Sequence, residues 1–215
     1  MSKIAVLGSG EVGKVLADGF LKHGHDVMRG SREPNKLDEW KAKAGAKART
    51  GTFADAAKFA EIVVLAVKGS AAESALEQAG EANLAGKTVL DSTNPISDEK
   101  PDNGVIRYFT GPNDSLMERL QKKFPNAKLV KCFNSVGSAF MVNPDFGGQK
   151  PTMFICGNDS GAKETARSIL DAFGWETEDL GKVEAARPIE SLCVLWCIPG
   201  FLRNDWTHAY KVLRK

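Results

Sequence analysis

Apolar and polar positions follow two alternating periods along most of the chain. Lys3–Leu7 is a short apolar run that ends at Gly8. Val12, Val15, Leu16, Phe20 and Leu21 then recur at helical spacing, predicting a helix over residues 12–22 with Gly24 as its stop. Residues 25–29 read as a second strand, and Pro34 opens a helix running to residue 44, proline being tolerated in a first turn. A weak strand over 46–50, a short helix over 54–60 and a strongly apolar strand over 61–67 come next. They are followed by an alanine-rich helix over 70–79 and a strand over 87–91. Past a loop at 94–113, the pattern predicts a helix over 115–123 and strands over 128–133 and 152–156. A helix over 160–173 and a last strand over 175–180 follow, and from Lys182 only helix is expected. Residues 95–113, with Pro95, Pro101, Gly104, Gly111 and Pro112, suit a mobile flap at a site or a long connection equally.

Strands alternating with helices imply right-handed βαβ units on a parallel sheet. Runs that are apolar throughout, such as Ile62-Val63-Val64-Leu65-Ala66-Val67, suit a sheet covered on both faces. The expected fold is α/β, a Rossmann-type doubly wound, mainly parallel sheet with a helical C-terminal segment. Residues 1–181 would form the nucleotide-binding domain, and 182–215 a helical segment packed on it. A chain of 215 residues, 42% hydrophobic and 26% charged, can bury a core of its own, which argues against disorder. The formal net charge of +2 lacks the basic footprint of a nucleic-acid binder. The N-terminal apolar run is too short for a signal peptide, and the longest apolar stretch, 192–202, is interrupted by Pro199-Gly200. A soluble, cytoplasmic protein without membrane or nucleic-acid partners is the expectation.

Gly8-Ser9-Gly10-Glu11-Val12-Gly13 is G-x-G-x-x-G. It follows a strand, opens a helix and starts a βαβ unit, the context a dinucleotide fingerprint requires. Gly8 permits the tight turn, Gly10 lets the backbone approach a pyrophosphate, and Gly13 lets helix and strand pack closely. The pyrophosphate would rest on the free N–H groups at the positive end of the helix. An NAD binder usually has an acid at the end of the second strand to hold the ribose 2′-OH. Here that place reads Met28-Arg29-Gly30-Ser31-Arg32. Ser31 can donate to a 2′-phosphate, and Arg32 can make a paired charge-assisted contact and stack on adenine. Lys36, one turn further, adds a point charge. NADP(H) is therefore the expected cofactor. Val67-Lys68, Asn94-Pro95 and Asn134 stand at the carboxyl ends of strands, where open parallel sheets bind ligands. Each asparagine is equally readable as a turn former bonding its own backbone.

Several segments together resemble a known family: Lys3-Ile4-Ala5-Val6-Leu7-Gly8-Ser9-Gly10, Gly30-Ser31-Arg32, Asn94-Pro95, Val130-Lys131-Cys132-Phe133-Asn134 and Ile155-Cys156-Gly157. They are similar to the NADPH-dependent reductases of the deazaflavin coenzyme F420, and to the cytosolic oxidoreductase domain of the STEAP metalloreductases. The likeness spans about residues 3–180. It implies hydride transfer between NADP(H) and a flavin-like ring, with F420, FMN or FAD as acceptor. Carried over, it places the pyrophosphate at Ser9, Gly10, Glu11 and Val12, and the 2′-phosphate at Ser31, Arg32 and Lys36. The loop at Val67 and Lys68, the Asn94 side chain and the Cys132 backbone would lie near the nicotinamide and its ribose. Ala186-Arg187-Pro188-Ile189-Glu190 is similar to an Arg-x-x-Glu helix of bacterial relatives, whereas the tail from Trp196 to Leu202 departs from the deazaflavin reductases. The metalloreductases also carry a haem-containing membrane domain, to which nothing in these residues corresponds.

Other chemistry is weaker. Cys193 and Cys197 share a helix face without C-x-x-C spacing and read as small buried hydrophobes, and Cys132 and Cys156 likewise lie in apolar runs. His23 and His25 flank a helix end; Asp205 and His208 are spaced to face each other. No metal site is evident. Reduction of a carbonyl or imine would need a proton donor beside the nicotinamide, for which Lys68 is a candidate. Transfer to a flavin-like ring needs mainly alignment and exclusion of water. A small-molecule acceptor and a homodimer are expected, the apolar C-terminal region being an acceptor pocket, a dimer contact or ordinary packing. A small-carbonyl or imine reductase and a non-enzymatic NADP(H) sensor are the alternatives.

Overall fold

The computed structural model describes residues 1–215. Six parallel strands form one sheet: β1 (Lys3–Leu7), β2 (Asp26–Gly30), β3 (Ala48–Gly51), β4 (Ile62–Leu65), β5 (Thr88–Asp91) and β6 (Lys128–Lys131). Their order, β3-β2-β1-β4-β5-β6, reverses direction between β1 and β4, which opens a crevice at the carboxyl ends of those strands. Helices α1 (Glu11–Lys22), α2 (Asp38–Lys43), α3 (Phe53–Phe59), α4 (Ala72–Ala79), α5 (Glu81–Leu84) and α6 (Leu116–Lys123) lie among them. A separate parallel pair, β7 (Thr152–Ile155) and β8 (Glu176–Asp179), encloses α7 (Ser160–Ala172), and α8 (Ala186–Arg203) follows.

Alternation along β1 explains the layering. Ile4 and Val6 join one buried cluster, with α1 and α7; Ala5 and Leu7 join the other, with α3, α4 and α6. The clusters hold 24 and 23 residues, so neither sheet face is left to solvent. Local capping sets several boundaries. Thr52 and Asp55 form a reciprocal capping box on α3, and Ser115 accepts from the Glu118 amide at the start of α6.

The differences from the sequence reading lie in irregular segments. The helix expected from Pro34 begins as a 3-10 turn, Pro34–Leu37, before α2. Helix α5 is an extra turn after Gly80 that periodicity did not predict. The 94–113 loop is a ribbon, with Ile96 bridged to Tyr108 and a tight turn at Asp102 and Val105. Pro199 does not interrupt α8, which continues to Arg203 and ends on Asn204 in the left-handed conformation, φ +56°. Residues 183–203 are long and apolar enough to cross a membrane by length and composition. Here α8 packs on α6 and β7. The expectation of helix to the end fails at residue 204. The remaining residues form an irregular strap beside β7, where the Thr152 amide donates to the Tyr210 carbonyl at 2.8 Å. Tyr210 Oη is tied to the Leu192 carbonyl at 3.0 Å.

Candidate functional site

The glycine loop joins β1 to α1. Gly8 has φ +148°, and a Cβ there would lie 2.1 Å from the Ala66 carbonyl oxygen, so only glycine fits. A Cβ at Gly13 would meet the Gly8 carbonyl at 2.6 Å, as expected for the close strand–helix contact. Gly10 caps α1, and a Cβ there would meet nothing within 4 Å. The opening N–H groups of α1 lack intrahelical partners.

Arg29, whose role the sequence did not reveal, holds this loop from behind. Its Nη2 donates to the carbonyls of Gly8 and Gly10, at 3.1 and 3.2 Å, and its guanidinium lies 4.9 Å from the Trp40 ring. Burial lowers the pKa of this arginine, though Asp18 and Glu11 pull the other way.

A cleft of about 380 Å³ brings together Gly8, Ser9, Gly10, Ser31, Arg32, Lys36, Val67 and Lys68. Phe53 and one face of the α4 region, with Ser70, Ser74 and Gln78, complete its wall. Ser31 is buried, and its Oγ accepts from the Glu33 amide at 3.2 Å, which leaves its hydroxyl proton free to donate outward. Arg32 is exposed and makes no salt bridge, whereas Lys36 pairs with Glu33 at 2.7 Å. The hydrogen bond and charge from Lys36 hold the Glu33 carboxyl below its ordinary range. The one acid at this end of the cleft is thus neutralised by the lysine beside it. Lys68 pairs with Asp98 of the ribbon.

Glu11, Val12, Gly13, Asn94, Pro95, Cys132 and Asn134 do not line this cleft. The last four cluster at the ends of β5 and β6. Asn94 Nδ2 donates to the Asn134 carbonyl at 2.8 Å, and Asn134 Nδ2 returns a bond to Asn94 Oδ1 at 3.1 Å. The asparagines therefore brace each other across two strand ends, beyond the local turns that each could form alone. Asn134 Oδ1 is buried without a hydrogen-bond partner, an acceptor free for a donor group. Phe133, beside it, has φ +61° despite its side chain, a strained conformation that costs about 1–3 kcal/mol and is common where a site fixes a backbone. Burial pushes the Cys132 thiol well up, so it remains protonated.

Beneath these residues lies a cluster that charge patterning did not expose. Lys131 Nζ stands 2.6 Å from Asp91 Oδ2 and 3.0 Å from Glu190 Oε1, and all three side chains are buried. Burial opposes the lysine charge, but the two carboxylates outweigh it and hold its pKa above that of an ordinary lysine. Arg187, one turn before Glu190, pairs with Glu118 of α6 at 2.6 Å. Burial also raises the Tyr108 phenol, which donates to the Glu190 carbonyl at 2.6 Å. Cys193 Sγ and Cys197 Sγ are 4.0 Å apart, the first buried and the second half-buried. Asp205 and His208 do face each other, at 3.6 Å, away from the cleft and beside Trp196.

The strand order, the glycine loop and the cleft at the switch point define a Rossmann-type dinucleotide-binding protein. Residues 3–95 match the family described as NADP oxidoreductase, coenzyme F420-dependent. The crystal structure of a protein from Arthrobacter sp. FB24, assigned as an F420-dependent NADP-reductase, is 33% identical, with a TM-score of 0.91 and 100% of both chains covered. Metalloreductase STEAP3 of Rattus norvegicus is 29% identical over 208 residues, 93% of this chain. This chain spans only 39% of the length of that curated relative. An imine reductase from Streptomyces aurantiacus shares the fold, at 18% identity and TM-score 0.67, covering 93% of this chain and 63% of the other. The chain belongs to the family of coenzyme F420-dependent NADP oxidoreductases.

Proposed function

We propose that this protein transfers hydride between NADP(H) and a flavin or deazaflavin acceptor of the F420 type. The observation that carries the cofactor reading is the cleft that runs from Gly10 to the buried Ser31 hydroxyl and the unpaired Arg32. The full-length likeness to the Arthrobacter protein supports the acceptor class. In this reading the N–H groups of Glu11 and Val12 hold the pyrophosphate, while Ser31 donates to the 2′-phosphate and Arg32 brackets it. Lys36 adds charge once Glu33 releases it. Val67, Lys68, Asn94, Pro95, Asn134 and the Cys132 backbone align the nicotinamide end. When bound, NADPH supplies a hydride from its dihydronicotinamide ring. The chain orients the two rings and excludes water, and the reduced acceptor takes its proton from solvent.

Cofactor choice gives one test. Arg32→Ala removes charge-assisted contacts worth about 1.5–3 kcal/mol, so NADPH affinity should fall roughly 10- to 100-fold while NADH affinity barely moves. Titrations of both reduced nucleotides, read by fluorescence, check this; equal losses would contradict the 2′-phosphate assignment. The acceptor is tested anaerobically, by following NADPH absorbance as F420, FMN or FAD is added in turn. Saturable oxidation with one of them is expected. Turnover of a small carbonyl or imine without any flavin would overturn the acceptor class. Tight NADPH binding with no turnover of any of these would point to a sensor instead.

A further inference from the structure

Residues 189 and 190 of α8 reach both asparagines at the nicotinamide end. Asn134 Nδ2 donates to the Ile189 carbonyl at 2.9 Å, so α8 anchors that side chain directly. Glu190, the next residue, reaches Asn94 by a second route. Its carboxylate accepts from the Leu116 and Met117 amides, each at 3.0 Å, and its Oε1 also faces Lys131. Lys131 Nζ donates to the Thr93 carbonyl at 2.8 Å. Asp91 Oδ1 holds the rest of Thr93, accepting from its amide at 2.9 Å and its hydroxyl at 2.7 Å. Asn94 is the next residue in the chain.

We propose that Glu190 is a positioning residue for hydride transfer: through Lys131 and Thr93 it fixes where Asn94 sits, in step with the hold of Ile189 on Asn134. The proposal rests on the hydride-transfer reading of this site. The ammonium donates to the Thr93 carbonyl and lies within ion-pair distance of both carboxylates, Asp91 and Glu190, so its position is tied to all three groups. Buried charges in a low-dielectric setting do not move independently. A carboxylate that shifts turns the ammonium, the ammonium moves the Thr93 carbonyl, and the Asn94 amide follows. Reactions that depend on such alignment lose about 100-fold for roughly 1 Å of misplacement. Helix α8 is then part of the reaction geometry.

Two variants test this. Glu190→Gln keeps the side-chain shape but must turn its amide N–H₂ toward either Lys131 or the start of α6. Glu190→Asp keeps the charge but is one methylene too short to serve both. Each is examined in single-turnover NADPH oxidation, with the acceptor that the wild type uses, alongside NADPH titration. The hydride-transfer rate should fall about 10-fold or more while NADPH affinity stays within about twofold, because the glycine loop and Arg32 are untouched. Leu170→Ala, on the buried face of α7, should lower the melting temperature and leave the rate of the folded protein unchanged. A Glu190 variant that melts lower but transfers hydride at the wild-type rate overturns the proposal, since Glu190 would then serve stability alone. Failure of both variants to fold counts against it in the same way. A wild type that oxidises NADPH with none of the acceptors removes the underlying reading instead, and the parallel wild-type assay separates the two.

Discussion

Gly10→Ala should leave the protein folded and remove most of its affinity for NADPH. Gly10 sits at φ −77°, ψ −175°, a conformation alanine adopts freely, and its Cβ would enter open space. The free protein therefore has no reason to object, and its melting temperature should move by no more than about 2 °C, as for a neutral surface change. In the proposed binding mode the same methyl group would occupy the space through which the pyrophosphate approaches the start of α1. Losing one or two charge-assisted hydrogen bonds at about 1.5–3 kcal/mol each predicts a fall in affinity of roughly 10-fold or more. Gly8→Ala makes the opposite comparison. Its methyl would collide with the Ala66 backbone in a conformation alanine avoids, so stability should drop before binding can be measured. Calorimetric melts and NADPH titrations of the two variants separate the roles. Normal NADPH affinity in Gly10→Ala would show that the phosphates do not approach this loop.

Lys131→Met should lower the stability of the protein severely. It leaves Asp91 and Glu190 buried without their shared counter-charge, a loss of about 3–5 kcal/mol. For a chain of this size that is roughly 6–20 °C of melting temperature. The pH dependence has a definite sign. The two carboxylates raise the lysine pKa in the folded state, so the folded protein binds this proton more tightly than the unfolded chain. The stabilisation is complete at neutral pH, declines once lysine in the unfolded chain begins to lose its proton near pH ~10.4, and is lost as pH passes the raised folded value. Melting curves taken from pH 8 upward should show an alkaline decline in the wild type that is shallower in Lys131→Met. Parallel curves would mean that another group governs alkaline stability.

The residues that carry these predictions were unequally visible in the sequence. The glycine loop was legible because its spacing, its flanking strand and its helix agree at every level. Ser31 and Arg32 were legible because they replace the acid that the end of β2 usually carries. Ser70, Ser74 and Gln78 do lie four apart, so a shared helix face could be read. Which face turns toward the cleft depended on how α4 packs on α3, and that is a tertiary fact. Arg29 looked like an ordinary charged residue near a strand end, and only the folded loop shows what it holds. Asp91 and Lys131 carried a usable signal, since they occupy matching positions at the ends of neighbouring strands and are directly paired in register. Glu190 stood out only through its Arg-x-x-Glu spacing with Arg187; its approach to Lys131 requires α8 to return across the molecule, which that spacing does not show. The ribbon at 95–109 was hidden for a simpler reason: its pairing is one short bridge and a turn, below what hydrophobic periodicity can detect.

The strap after α8 bears on how the protein behaves in company. A two-stranded sheet such as β7–β8 would ordinarily present a bare edge, and bare edges recruit strands from other molecules. Here the Thr152 amide is taken by Tyr210, and the Thr152 hydroxyl accepts from the Val212 amide at 3.1 Å. The Tyr210 hydroxyl is in turn fastened to Leu192 of α8. Helix docking and edge protection are therefore one mechanical unit. Loosening α8 should also free the strap and bare the β7 edge to strands from other molecules.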